Sequence, residues 1–189
     1  GILRQTDTLQ KNISSIWVET HPIQTEEDVK KLLSIPIAEL LLPDIEDFIT
    51  QKQQVEKNEI IFIRIDSPIS CVARLMPYEQ FLIWCVTEQS LIESLLKRAY
   101  NHISIVLKQL LQKKVGLFFR IGGSEIVTPP RISPHLFEQL VLKWEKPLVD
   151  LIHNYGGKAA MHFHGELKQV ITQIISTGCD LLDPVEPPP

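Results

Sequence analysis

Nothing in these 189 residues is long and apolar enough to cross a bilayer. Short apolar stretches, such as residues 37–42, fall far short of the roughly 20 residues that a spanning helix needs. The first residues, Gly1-Ile2-Leu3-Arg4-Gln5, lack the charged and then apolar layout of a secretory signal. No basic stretch with interleaved aromatics exists, and the formal charge is −4, so nucleic acid is not an expected partner. Cysteine is scarce: Cys71, Cys85 and Cys179 form no C-x-x-C pair, which reads as reduced core thiols in a cytoplasmic protein. Asn12-Ile13-Ser14 fits the glycosylation pattern but reads as a chance match. Phosphate-binding and dinucleotide-binding glycine fingerprints are absent, and so is a G-x-S-x-G nucleophile elbow.

What is present is core material. Hydrophobic residues make up 44% of the chain and charged residues 22%, which suits one sizeable core and a single domain over residues 1–189. Two short extended stretches, 2–9 and 13–20, flank a polar Gln10-Lys11-Asn12 and suggest a surface hairpin within residues 1–20. Thr25-Glu26-Glu27-Asp28 reads as a cap opening a short helix to about residue 33, and residues 44–54 as a second one. Beyond them the pattern becomes regular. Nearly continuous apolar runs predict strands near 59–66, 115–121, 158–164 and 179–183. Helical periodicity fills 77–84, 88–112, 134–154 and 167–177, with Ser133-Pro134 opening the third and Gly156-Gly157 closing it. Strands alternating with such helices predict βαβ units in a parallel sheet. The chain stops directly after its fourth strand, whereas a full (β/α)₈ barrel runs to ~250 residues, so about half a barrel, cut at both ends, is the expectation.

In such folds chemistry gathers at the C-terminal ends of the strands. Those ends carry Asp66, then Gly122-Gly123-Ser124-Glu125, then His162-Phe163-His164-Gly165, then Asp183-Pro184-Val185-Glu186. His162 and His164 stand two apart on a strand and therefore share a face. Two imidazoles on one face can ligate a divalent metal, with Glu125 or Glu186 completing a three-ligand set. The competing reading makes one histidine a hydrogen-bonded core residue and the other a substrate contact. Glu125 and Asp66 are the candidate catalytic groups, Asp66 doubling as a helix cap in the alternative reading. Arg120, one residue before a strand end, is a candidate for holding an anionic substrate or a pocket carboxylate.

Several of these segments resemble one family. Ile132-Ser133-Pro134-His135-Leu136-Phe137, the Gly156-Gly157 stop, Met161-His162-Phe163-His164-Gly165 and Gly178-Cys179-Asp180-Leu181-Leu182-Asp183-Pro184-Val185-Glu186-Pro187 are similar to the uroporphyrinogen decarboxylase superfamily. His21-Pro22-Ile23 with Thr25-Glu26-Glu27-Asp28 carries the likeness toward the start. The resemblance implies a TIM barrel and one of two activities: cofactor-free decarboxylation of a tetrapyrrole, or methyl transfer with a bound zinc and a corrinoid protein as partner. The methyl-transfer branch uses a His-x-Cys pair, and here His164 stands where that cysteine would be. The leading expectation from the sequence is metal-assisted methyl transfer on a small-molecule substrate. His162, His164 and Glu186 would be ligands of a divalent metal, zinc by default. Decarboxylation with Asp66 and Arg120 on an acidic tetrapyrrole is the second expectation, and a non-catalytic binding barrel the third. A homo-oligomer stays open.

Overall fold

The computed structural model describes residues 2–9, 16–37, 46, 49–50, 54 and 60–185. The helix expected over 44–54 and the candidate ligand Glu186 lie outside the described residues, apart from isolated positions of the former.

Strands β1 (Thr6–Leu9) and β2 (Ile16–Thr20) pair antiparallel, and Leu9, Ile16 and Trp17 stay largely exposed. Helix α1 (Glu26–Ser34) opens with a capping box: the Thr25 side chain accepts from the Asp28 N–H and the Asp28 carboxylate from the Thr25 N–H. Three acids in the first turn complement the positive end of the helix dipole.

The second sheet holds the four strands that the apolar runs predicted. They are β3 (Phe62–Asp66), β4 (Phe118–Gly122), β5 (Lys158–His162) and β6 (Leu181–Asp183). They lie in chain order and every neighbouring pair is parallel, so each connection crosses over through helix. Between β3 and β4 run α2 (Pro68–Ala73), α3 (Tyr78–Thr87) and α4 (Gln89–Gln112). Between β4 and β5 come a 3₁₀ turn (Ser124–Val127), α5 (Pro134–Phe137), a π-helical turn (Glu138–Leu142) and α6 (Lys143–Asn154). A 3₁₀ turn (Leu167–Gln169) and α7 (Ile171–Ile175) precede β6.

Alternation along the strands sorts the sheet into two faces. Ile63, Ile65, Phe119, Ile121, Ala159 and Met161 are buried under the helices, with Phe137 and Phe163 meeting edge-on at 5.5 Å. The helices put Ile69, Val72, Phe81, Leu95, Leu107, Val141, Leu148 and Ile152 into the same core. Phe62, Arg64, Asp66, Phe118 and Arg120 point the other way and keep solvent access. This is half of a (β/α)₈ barrel, helices outside and the would-be lumen open.

Local features depart from the sequence expectation: the strand expected over 158–164 ends at His162, and the helix expected over 167–177 is a 3₁₀ turn followed by the five-residue α7. Pro68, which reads in the sequence as a strand stop, also occupies the first turn of α2, where its missing N–H is harmless. Ser67 is the N-cap without a side-chain capping bond, so Asp66 does not cap that helix. The continuous helix expected over 134–154 is interrupted by the π turn, upstream of Pro147 inside α6.

Candidate functional site

The lumen-facing side chains fall into layers set by strand register. Phe62 and Phe118 pair at the N-terminal end, ring centroids 5.5 Å apart. Arg64, Arg120, Ala160 and Leu181 align across all four strands in the next layer. Asp66, Gly122, His162 and Asp183 form the uppermost layer, at the strand ends. Barrel interiors are usually filled by branched apolar residues. Here two neighbouring strands put guanidinium groups in the middle layer and the mouth above them is carboxylate and imidazole.

The arginines bind the layers together. Arg120 reaches up to Asp183 as a fork, Nε to Oδ1 at 3.3 Å and Nη2 to Oδ2 at 2.8 Å. The same Nη2 lies 2.5 Å from Nδ1 of His162. The Arg120 hydrogen bond holds the Asp183 carboxyl below its usual range against the opposing effect of burial. Asp66 receives Arg74 from the end of α2 at 2.6 Å and, more loosely, Arg64 at 3.5 Å. Arg64 keeps 70% of its side-chain exposure, so most of its fork is open to a ligand.

His162 ends β5, and His164 lies two residues on, beyond the strand. Their rings pack edge to face with centroids 4.7 Å apart and an interplanar angle of 82°. The loop after β4 is tied to this strand end through Thr128, whose single hydroxyl proton is shared between the carbonyls of His164 and Glu125. Gly165 must be glycine there: φ is +110° and a Cβ would lie 2.5 Å from Thr128 Oγ1. Gly123 is constrained in the same way, with φ +102° and a Cβ position 2.6 Å from Ser70.

Glu125 turns back on its own loop, its Oε2 accepting from the Gly123 N–H at 2.8 Å. Glu186 cannot be placed, since it lies outside the described residues. Among the described residues no three His, Cys, Asp or Glu side chains cluster as a metal site. His162 Nδ1 has the Arg120 guanidinium at 2.5 Å beside the Asp183 carboxylate at 3.2 Å, and only the carboxylate is the kind of partner that usually orients a ligating imidazole. The described residues alone therefore do not complete a three-ligand metal site. Of the sequence candidates, the fold brings Arg120, His162 and His164 together; Asp66 shares their layer, and Glu125 is held on the adjoining loop.

Sequence reasoning did not assign Asp183, Arg64 or Glu145 a role. The first two follow from strand parity once the register is known. Glu145 sits on α6 and is wholly buried, with Oε1 accepting from Ser124 Oγ at 2.7 Å. Burial pushes its carboxyl up to about 7, despite the opposing pull of nearby Ser67 and Ser124. It stands directly behind the strand ends that carry the mouth residues.

At the other end of β6, Asp180 serves structure. It accepts from Lys158 Nζ at 2.8 Å and the Ala159 N–H at 2.9 Å, and pairs with His153 Nε2 at 2.7 Å. No helix among the described residues is long and apolar enough to cross a membrane.

Against known families, the protein-family model Uroporphyrinogen decarboxylase (URO-D) matches residues 12–184. No curated protein and no solved structure matches the chain significantly.

Proposed function

This chain belongs to the uroporphyrinogen decarboxylase family, whose members are mostly enzymes, and we propose that its strand-end mouth acts on a carboxylate-bearing small molecule by decarboxylation. One observation carries the reading: Arg64 and Arg120 stand in register in the middle layer of the lumen, directly beneath Asp66, His162 and Asp183. A cationic layer under an imidazole-lined mouth suits a substrate with several carboxylates, because guanidinium groups recognise carboxylates through paired N–H donors. Arg64 is the more available anchor, since its only described ion pair is the long one to Asp66.

Decarboxylation breaks the bond between carbon and carboxylate, releases CO₂ and leaves the electron pair on carbon. That carbon must then take a proton. His164, half-buried at the mouth beside His162, is the group assigned to deliver it. The arginines hold the remaining carboxylates, and Asp66 and Asp183 fix the arginines. The test is anaerobic incubation of the full-length protein with uroporphyrinogen, following CO₂ and the less carboxylated product. Turnover that falls in Arg64→Gln and His164→Ala supports the reading. Absence of both turnover and polycarboxylate binding overturns it.

A second reading is favoured by the 4.7 Å approach of the two imidazole rings. In it His162, His164 and Glu186 hold a divalent metal, zinc by default, for methyl transfer with a corrinoid protein. Metal analysis of the full-length protein separates the two: stoichiometric zinc lost in His164→Ala would put methyl transfer first.

A further inference from the structure

The geometry points to Arg120 as a positioning residue that fixes His162 in the tautomer with its proton on Nε2, so that His162 presents an N–H donor to the mouth. This inference rests on hydrogen-bond direction alone and stands whether or not the substrate is an acid.

His162 Nδ1 has two polar neighbours, Arg120 Nη2 at 2.5 Å and Asp183 Oδ2 at 3.2 Å. They require opposite things of it. A guanidinium can only donate, so the first contact needs a lone pair on Nδ1, whereas a carboxylate can only accept and needs a proton there. A proton on Nδ1 would meet the Arg120 N–H head-on across 2.5 Å. The shorter contact therefore decides, and Nδ1 accepts. Asp183 keeps a hydrogen bond on each oxygen through the Arg120 fork at 3.3 and 2.8 Å. A neutral imidazole has one N–H, and with Nδ1 accepting it must sit on Nε2.

The arrangement is built by register. Arg120 lies one layer below His162 on the neighbouring strand, and Asp183 pairs with His162 on the other side. Gly122, above Arg120, has no side chain to block the path of the guanidinium; a Cβ there would sit 3.4 Å from that of His162. Two chemical consequences follow. His162 is suited to a substrate oxygen, carbonyl or carboxylate, that accepts a hydrogen bond at the mouth. The same tautomer offers no lone pair on Nε2, so His162 cannot ligate a metal through that atom while the Arg120 contact lasts.

The experiment is a long-range ¹H–¹⁵N correlation spectrum of the full-length protein labelled at histidine nitrogen, with His162 assigned by His162→Gln. The expected result is an unprotonated Nδ1 and a protonated Nε2 at His162. In Arg120→Gln the proton should move to Nδ1, where Asp183 can accept it, while in Asp183→Asn the Nε2–H tautomer should persist. Stoichiometric zinc should leave the His162 signals of the wild type unmoved. A protonated Nδ1 in the wild type, an unchanged tautomer in a folded Arg120→Gln, or zinc-shifted His162 signals each overturn the inference. Since no turnover is read, its failure is distinct from failure of the decarboxylase reading.

Discussion

Replacing Glu145 with glutamine should make the protein more stable at neutral and alkaline pH and leave it unchanged in acid. Glu145 is fully buried on α6, with Ser124 donating to one oxygen and, among the described residues, no hydrogen bond formed to the other. Desolvation pushes its pKa from the ordinary 4.5 up to about 7. A raised carboxyl penalises the fold wherever the unfolded chain would ionise and the folded one resists. The penalty is absent below the unfolded value, grows as pH rises from 4.5, and levels off above about 7. Each pH unit of that window is worth ~1.4 kcal/mol, so the full penalty is on the order of 3 kcal/mol. The substituted amide keeps an oxygen for Ser124 and cannot ionise, so the variant should lose this pH dependence. Urea denaturation followed by tryptophan fluorescence at about pH 4.5 and about pH 8 reads the difference directly. A gap between variant and wild type that is equal at both pH values would refute the assignment. The site is coupled to this group, because Ser124 opens the turn that leads directly to Glu125.

Two further substitutions test the frame around the mouth. Gly123→Ala should cost upwards of ~1 kcal/mol, since it combines a left-handed backbone with a 2.6 Å clash against Ser70, and a thermal melt of the variant checks it. Asp180→Asn should weaken the fold near neutral pH but not at strongly acid pH. Burial tends to raise this carboxyl, but hydrogen bonds from Lys158, Ala159 and His153 hold it well below the usual carboxylate range. Its stabilisation is therefore present above the ordinary carboxylate value and fades as pH falls through the depressed one. A variant deficit that persists undiminished in strong acid would contradict this.

The parallel sheet was legible because β4 and β5 lie under helices on one face and carry apolar runs that no amphipathic helix would show. The strands are shorter at their starts than the apolar runs: Ile60 and Leu117 are apolar but exposed, and β-propensity alone did not recruit them. Helix α2 was not legible because Ser67-Pro68 signals a break and a helix start with the same residue. The place of His162 at a strand end followed from the apolar run before it, whereas His164 lies beyond the end of β5. The Arg120–Asp183 fork did not follow from the sequence, because it joins strands whose neighbourhood and register exist only in the fold. Glu145 reads in sequence as an ordinary helical acid; only the packing of α6 behind two strand ends shows that it is buried.

The central claim is that two in-register arginines make this lumen a polycarboxylate site. The most direct measurement is the affinity of the full-length protein for uroporphyrin, the stable oxidised polycarboxylate, read by its fluorescence in wild type, Arg64→Gln and Arg120→Gln. Charge-assisted hydrogen bonds of this kind contribute roughly 1.5–3 kcal/mol, so each substitution should weaken binding by about tenfold or more. Binding should also weaken as salt is raised. Affinity that is unchanged in both variants, or no binding by the wild type at all, would contradict the account.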